Sequence, residues 1–315
     1  MRVLAKKDGD IMLIIPNDIQ SFDDFSSPVP TSLALGRFDG VHLGHRQVIK
    51  AATDFDHALP AVFTFEQSPH GVLTGEMVYS LLTDSQKHEM IENLGIKLYV
   101  APSFLSVKEM LPEEFLLMLK EKLNVVHIAC GFNFTFGKFA SGNPGVLKEL
   151  CAKHNIELTV VPPVELEGVP VSSTAIRNYL ANGDVNSAST LLGYRFAIDF
   201  PVIDGDKRGR TMDIPTINQQ LPATFIHPRY GVYATKSKIG GKWYKSISNV
   251  GVRPTVGSAF PGCETYILDF DGDLYGKDVK VEFYDFMRDE IQFSDLDELK
   301  AAIDHDIDTV RLKSY

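Results

Sequence analysis

Two histidines three residues apart, in a run that holds three glycines, are the first residues of this chain whose types and spacing could do chemistry. Imidazole N–H groups can stabilise the negative charge that develops on a phosphorus centre and on a departing phosphate. Glycines let the backbone approach a ligand closely or take up positive φ. His42 and His45 are therefore candidate catalytic residues acting on a polyphosphate. The run reads Leu35-Gly36-Arg37-Phe38-Asp39-Gly40-Val41-His42-Leu43-Gly44-His45.

The elements on either side of this run predict an anion site. Residues 32–35, a serine followed by three apolar residues, indicate a short buried strand, and residues 46–52 indicate a helix. A helix start offers unpaired N–H groups and the positive end of a dipole to an anion. Neighbouring histidines also occur by chance or as half of a metal site, but no third ligand with clear spacing is present. The strand–glycine–helix context favours the phosphate site.

A second helix start carries hydroxyls and a guanidinium. Ser172, Ser173 and Thr174 precede an apolar-periodic segment, and Arg177 follows one turn later. Such hydroxyls cap the first N–H groups of a helix and can also bind phosphate oxygens, which an arginine in the next turn can reach. By itself this pattern is more often a plain N-cap. Together with the histidine run it predicts further phosphate contacts.

A third segment combines a basic glycine loop with two oxygen-bearing side chains. It runs from Gly205 to Asn218 and ends in the pattern P-T-x-N. Thr216 and Asn218 are two residues apart, so on a strand they face the same side. Hydroxyl and amide oxygens suit Mg²⁺, which prefers hard oxygen ligands. The ordinary alternative is a surface hairpin with a solvated run of charge.

The wider pattern predicts two domains of different class. Strand candidates alternate with helix candidates in the first half, which indicates a Rossmann-like α/β fold with a parallel sheet. From about residue 196 short strand candidates follow one another between Gly, Pro and Asn turns, which predicts a small antiparallel barrel or sandwich with a closing helix. The predicted domains are 1–184 and 185–315. In the first half the strand candidates are 32–35, 61–65, 96–100, 125–129 and 156–161. Residues 67–75 are predicted to form a turn-rich loop. In the second half the strand candidates are 197–203, 231–238, 243–250, 264–270 and 280–286, and a helix is predicted at 296–307.

The net charge, the cysteines and the apolar runs indicate which partners and which cell compartment to expect. The net charge of −10 over 315 residues disfavours nucleic acid as a partner, since no strong basic patch is present. Three widely spaced cysteines with no C-x-x-C pair fit a reducing compartment. No apolar run approaches the length of a membrane-spanning helix, so a soluble cytoplasmic protein is expected, with oligomeric state unreadable.

The H-x-G-H signature resembles that of the nucleotidyltransferase superfamily. The longer run G-R-F-D-G-V-H-L-G-H is similar to the opening of the FAD synthetase module in bacterial bifunctional riboflavin kinase/FMN adenylyltransferases. Segments 131–137, 171–177, 205–218, 249–255 and 263–270 also resemble motifs of that family, in the same order. The resemblance extends from about residue 32 to residue 307.

The resemblance implies two reactions that use ATP and Mg²⁺, with riboflavin, FMN and FAD as substrates and products. The C-terminal domain would phosphorylate riboflavin to FMN, with Glu264 as catalytic carboxylate, although a half-exposed strand glutamate is the ordinary reading of that residue. The N-terminal domain would adenylylate FMN to FAD and release pyrophosphate. The implied transferase contacts are Gly36, Phe38, Asp39, Gly40, Gly44, Asn133, Ser172, Ser173, Thr174 and Arg177; those of the kinase are Gly205, Lys207, Gly209, Arg210 and Pro215 for ATP, Asn249, Gly251, Arg253, Thr255 and Arg288 for flavin, and Thr216 and Asn218 for the metal.

Departures from the family pattern leave alternatives open. Phe200 and Asp213 stand where the family usually has glycine, and Asp213 adds a carboxylate close to the expected triphosphate. The alternatives are an FMN adenylyltransferase with an impaired kinase half and a non-catalytic flavin or nucleotide-binding protein. H-x-G-H also opens the class I aminoacyl-tRNA synthetases. Those enzymes carry a downstream KMSK-like lysine loop, which this chain lacks, and need a surface for tRNA.

Overall fold

The first of two compact units, Met1–Ser173, is built on a seven-stranded sheet. The structure, a computed structural model, describes residues 2–4, 12–15, 25–204, 214–255 and 258–315. The strands are β1 (Arg2–Leu4), β2 (Met12–Ile15), β3 (Thr31–Leu35), β4 (Leu59–Phe63), β5 (Leu98–Val100), β6 (Val125–Gly131) and β7 (Glu157–Val161). Their order is β1-β2-β5-β4-β3-β6-β7, and all neighbours are parallel except β1 with β2. The predicted parallel α/β fold is confirmed.

Helices bury both faces of this sheet, as the continuous apolar strands predict. Because side chains alternate along a strand, Leu33 and Leu35 of β3 join the core on one face and Ala34 joins the core on the other. The helices are α1 (Leu43–Thr53), α2 (Pro69–Thr74), α3 (Asp84–Asn93), α4 (Phe104–Val107), α5 (Pro112–Leu123) and α6 (Pro144–Lys153), with a 3₁₀ turn at Lys138–Ala140. A two-stranded hairpin pairs β8 (Glu165–Leu166) with β9 (Val169–Pro170).

The loop predicted at 67–75 is wrong in its central part, which is helix α2. Pro69 lies in the first turn of this helix, where its fixed φ suits a helix and its missing N–H costs nothing. Gly75, at φ +74°, closes it in the left-handed conformation. The proline and glycine that suggested a loop are therefore the start and stop signals of one short helix.

The second unit, Thr174–Tyr315, contains a closed barrel. It comprises α7 (Ser173–Ala181, which begins at the division), α8 (Val185–Leu192), β10 (Ala197–Ile203), β11 (Thr216–Gln220), β12 (Gly231–Ile239), β13 (Lys242–Thr255), β14 (Ser258–Ile267), β15 (Asp278–Arg288) and α9 (Leu296–Leu312). The barrel order is β10-β11-β14-β13-β12-β15, with antiparallel pairing. The structure thus selects the barrel over the sandwich. No helix in the described part of the chain is long and apolar enough to cross a membrane.

Gln219 and Phe200 are buried inside the barrel. The Gln219 amide donates hydrogen bonds to the carbonyls of Phe200 and Val279, each at 2.6 Å. The Phe200 ring, which stands where the family usually has glycine, packs edge-on against Phe225 at 5.2 Å. The substituted ring is therefore accommodated in the apolar core.

A buried histidine in the sheet makes the stability of the first unit depend on pH. His127 on β6 hydrogen-bonds Ser32 through Nδ1 (2.8 Å) and Thr159 through Nε2 (2.9 Å), and its ring stacks on Phe55. Burial lowers the pKa of His127, and Glu157 opposes this only in part. Because the folded pKa lies below the unfolded value, its stabilisation is complete above about pH 6.5 and is lost as pH falls from there through the folded pKa.

We therefore expect wild type to lose more thermal stability than H127Q between pH 7.5 and pH 5. Glutamine retains a donor and an acceptor for the two hydroxyls but has no proton to gain. Thermal unfolding of both proteins across this range measures the effect, and the other histidines cancel in the comparison. Parallel stability curves would contradict the expectation.

Candidate active sites

The loop between β3 and α1 is held in a strained conformation at the carboxyl edge of the sheet. Phe38 (φ +53°) and Val41 (φ +38°) lie at positive φ although neither is glycine, and Gly40 lies at +80°. Each such non-glycine residue costs on the order of 1–3 kcal/mol, which neighbouring contacts must offset. The Asp39 carboxylate accepts a hydrogen bond from the Leu81 backbone N–H at 2.9 Å. The loop is therefore fixed in place before any ligand binds.

The two candidate histidines are stacked. Their ring centroids lie 3.5 Å apart and the ring planes differ by 15°. His42 caps α1, and its Nδ1 accepts a hydrogen bond from the backbone N–H of His45 at 3.2 Å. A backbone N–H can only donate, so Nδ1 of His42 carries no proton and the neutral ring carries its proton on Nε2. A side chain at Gly44 would meet the His42 ring at 3.3 Å, which explains the glycine.

His45 is held neutral by its surroundings. Burial lowers the pKa of His45 well below its usual value, and His42, Lys87 and Arg37 lower it further. The Nδ1 atom of His45 is buried and has no hydrogen-bond partner in the described residues. Beneath the ring, the fully buried Phe38 makes an edge contact with centroids 5.5 Å apart. The site therefore presents neutral imidazoles to a ligand.

The other residues predicted for the first site differ in burial and in their contacts with the histidine loop. The Ser173 hydroxyl donates to the Asp39 carbonyl at 2.9 Å and so contacts the histidine loop. Asn133 is exposed just after β6, whose carboxyl end adjoins that of β3. The Phe38 side chain is buried, so only its backbone remains for a ligand. Gly36 and Ser172 are half-buried, and the parts of Thr174 and Arg177, in the second unit, stay predictions.

Sequence reasoning missed Lys87, the one buried lysine among the described side chains. Its Nζ donates hydrogen bonds to Thr64 Oγ1 at 3.0 Å and to the Phe65 carbonyl at 3.2 Å. Burial lowers the pKa of Lys87 to about 8, while Asp39 and Asp84 oppose the shift. Helix α3 is largely polar, so no pattern in the sequence distinguishes this lysine from an exposed one.

The second candidate site is centred on Glu264 in β14. Strand register places Glu264 opposite Asn218 of β11 on one side and opposite Asn249 of β13 on the other. Directly paired side chains point to the same face of a sheet, so these three converge. The Thr216 hydroxyl donates to Glu264 Oε1 at 2.6 Å. The structure thus brings together four predicted kinase residues from three strands.

The oxygens of this cluster fit Mg²⁺. The Oδ1 atoms of Asn218 and Asn249 are buried and find no hydrogen-bond partner within the described ranges. A buried amide oxygen without a partner carries a free-energy cost that a bound cation removes. Asn218 is one of the two metal ligands expected from the sequence; the binding of metal by Thr216 and Asn218 stays a prediction.

The structure gives Arg288 a partner that the sequence did not indicate. Its guanidinium pairs with Asp306 of α9 at 2.8 Å, and Asp306 is buried. Arg288 therefore joins the closing helix to the barrel, and its contact with flavin stays a prediction. A side chain at Gly251 would collide with the Glu290 carboxylate, which also accepts from Asn249 Nδ2 at 3.2 Å.

Several predicted kinase residues are not tested by the geometry. Pro215 is exposed immediately before β11. Arg253 and Thr255 belong to β13, but their side chains are not described. The remaining predicted residues of the loop, together with the departure at Asp213, lie outside the described residues: Gly205, Lys207, Gly209 and Arg210.

Known protein families match both units of the chain. Residues 25–175 match the family model described as FAD synthetase, and residues 192–313 match the one described as riboflavin kinase. A bifunctional riboflavin kinase/FMN adenylyltransferase of Bacillus subtilis is 37% identical over 284 residues, which are 87% of this chain and 89% of that protein. The Listeria monocytogenes protein of the same name is 34% identical over 281 residues, with 87% and 89% covered.

A solved structure matches over almost the whole length. The crystal structure of a protein described as a macrolide-efflux protein from Streptococcus pneumoniae superposes with a TM-score of 0.85 at 29% identity, covering 96% of this chain and 99% of that one. The two family models together span both candidate sites. The chain therefore belongs to the family of bifunctional riboflavin kinase/FMN adenylyltransferases.

Proposed function

We propose that this chain makes FAD from riboflavin in two steps, with FMN formed at the Glu264 cluster and converted to FAD at the histidine pair. The observation that supports the proposal most is the stacked, neutral histidine pair at the carboxyl edge of a parallel sheet. Ligands of open α/β sheets bind at this edge. We assign residues 1–184 to adenylyl transfer and residues 185–315 to the kinase, as the sequence predicts.

In adenylyl transfer, a phosphate oxygen of FMN attacks the α-phosphorus of ATP. A new P–O bond forms, the bond between the α-phosphorus and its bridging oxygen to the β-phosphorus breaks, and pyrophosphate leaves with the electron pair. His42 donates from Nε2–H to the oxygens on which charge develops, with His45 beside it. The nucleophile is already an anion, so the enzyme supplies position and charge without a covalent intermediate. Ser172, Ser173, Thr174, Arg177 and Asn133 are proposed to hold the remaining phosphates.

In the kinase reaction, a ribityl hydroxyl of riboflavin attacks the γ-phosphorus of ATP and ADP leaves. Glu264 accepts the hydroxyl proton, and the 2.6 Å hydrogen bond from Thr216 orients its carboxylate. Thr216 and Asn218 would hold Mg²⁺, which when bound neutralises charge on the transferred phosphate. The glycine loop from Gly205 to Pro215 is proposed to bind ATP. The proposed flavin contacts are Asn249, Gly251, Arg253, Thr255 and Arg288.

We also propose a cytoplasmic location and no nucleic-acid partner. All three cysteines are buried and free of disulfides, which fits a reducing compartment. The net charge of −10 opposes contact with a phosphate backbone.

Chromatography of the products tests the proposal directly. Purified protein incubated with riboflavin, ATP and Mg²⁺ should yield FMN first and then FAD. If FAD forms only when FMN is supplied, the adenylyltransferase is active and the kinase is not, which is the alternative raised by Asp213. Tight flavin binding without turnover would instead identify a non-catalytic binding protein.

A further inference from the structure

Lys87 has no part in the two reactions as described. It nevertheless donates a hydrogen bond to Thr64, whose hydroxyl holds the loop that carries His42 and His45. We propose that Lys87 is a positioning residue for FAD synthesis: through Thr64 it fixes the Arg37 carbonyl, and with it the loop that carries His42 and His45. The inference rests on the proposed adenylyl transfer and adds a residue to that site.

The contact runs through a single hydroxyl. Thr64 Oγ1 has one proton, and this proton is donated to the Arg37 carbonyl at 2.9 Å. The lone pair of the same oxygen accepts from Lys87 Nζ at 3.0 Å. A hydroxyl rotates freely unless its partners fix it. The Lys87 ammonium can only donate, so the Thr64 hydroxyl proton cannot point toward it and points to the Arg37 carbonyl instead. Lys87 therefore sets the orientation of the bond that holds the loop.

The first two members of this chain of hydrogen bonds, Lys87 and Thr64, are held firmly in place. Thr64 is fully buried, and its backbone N–H donates to the Val100 carbonyl at 2.9 Å, which ties the end of β4 to β5. Lys87 is anchored on α3 and also donates to the Phe65 carbonyl at 3.2 Å. Arg37 starts the strained segment that contains Phe38, Gly40 and Val41. A strained segment keeps its conformation only while its contacts hold it, so loss of this contact should displace the histidines.

Keeping an ammonium in this place has a cost that a purely structural role does not require. Lys87 is 6% exposed, and its ammonium donates to the uncharged oxygens of Thr64 and Phe65. Nearby Asp39, Asp84 and Glu66 offset only part of the effect of burial, because the pKa of Lys87 is still lowered to about 8. A buried charge is expensive, and an apolar side chain of similar length would fill the same space. The charge also contributes to the lowered pKa of His45, together with His42 and Arg37, after burial itself.

Two matched pairs of variants separate the roles. K87M removes the ammonium and keeps the unbranched chain up to the ε carbon. K50M, its control, makes the same change at an exposed lysine of α1 that pairs with Asp54. T64V removes the bridging hydroxyl at nearly constant shape, and T64S keeps it. Thermal unfolding followed by circular dichroism reports whether the first unit of each variant stays folded, and the riboflavin kinase rate, which belongs to the Glu264 cluster in the second unit, checks the protein concentration.

We expect K87M and T64V each to lower kcat for FAD synthesis by about 10- to 100-fold, the effect of a small misplacement of catalytic groups, with little change in KM for ATP or FMN. K50M and T64S should match wild type. The double variant should be no slower than the slower single variant, because both remove the same hydrogen-bonded link.

The pH profile gives a readout that a purely structural role would not move. In K87M the pKa of His45 should rise, so the acid limb of FAD synthesis should shift to higher pH. T64V leaves the charges of Lys87 and Arg37, which lower the pKa of His45, in the protein, together with Asp39, Asp84 and Glu66 around Lys87. In T64V the acid limb should therefore stay in place.

Rates for K87M and T64V equal to those of K50M and T64S would overturn the proposal. So would a raised KM for ATP with kcat unchanged, which would make Lys87 a substrate contact. If K87M fails to fold, T64V against T64S decides alone. Absence of FAD synthesis in wild type would count against the proposed function instead.

Discussion

H42A/H45A should lower the rate of FAD formation from FMN and ATP by about 10³- to 10⁵-fold. Loss of one preorganised donor to a developing oxyanion costs about 10²- to 10³-fold, and two donors that act together give somewhat less than the product. The stacked geometry makes joint action the expectation, since the rings lie 3.5 Å apart and one positions the backbone N–H of the other. Single-turnover measurement with saturating FMN and ATP isolates the chemical step.

The same variant should form FMN from riboflavin at the wild-type rate. H70A supplies a control, because His70 is exposed and pairs with Glu76 on the surface. Equal loss of both activities in H42A/H45A would contradict the division of labour between the two sites. If H42A/H45A forms FAD at the wild-type rate, the two histidines resemble the family motif in sequence but have no role in catalysis.

The sheet and barrel could be predicted because local patterns determine them. Continuous apolar strands between helices are typical of a parallel sheet, and β10 runs over the residues predicted for it, 197–203. The choice of a closed barrel over a sandwich could not be made, since it depends on pairing between strands far apart in the chain, such as β10 with β15. Helix α2 was missed because its proline and glycine are equally typical of a loop.

The candidate sites were predictable in composition but not in arrangement. Spacing identified His42 and His45, yet the protonation state of His42 depends on one hydrogen bond from the N-terminus of α1. The row formed by Asn218, Glu264 and Asn249 depends on the register of three strands. Lys87 resembles any lysine on a polar helix, and only burial against Thr64 marks it out.

E264Q should lower the rate of riboflavin phosphorylation by about 10²- to 10⁴-fold, the usual contribution of a general base. Glutamine preserves the shape of the side chain and can still accept the hydrogen bond from Thr216, but it cannot take the proton of the attacking hydroxyl. FAD formation from supplied FMN should be unchanged. E282Q is a matched control, since Glu282 is another half-buried strand glutamate of the barrel.

Rapid phosphorylation by E264Q would show that Glu264 is an ordinary strand glutamate and would remove the carboxylate from the kinase mechanism. If instead the rate falls as expected, mixing E264Q with H42A/H45A tests both assignments at once. Neither variant alone should make FAD efficiently from riboflavin. Because FMN has no covalent bond to the enzyme, FMN made by H42A/H45A should reach the intact histidines of E264Q, and the mixture should regain FAD synthesis.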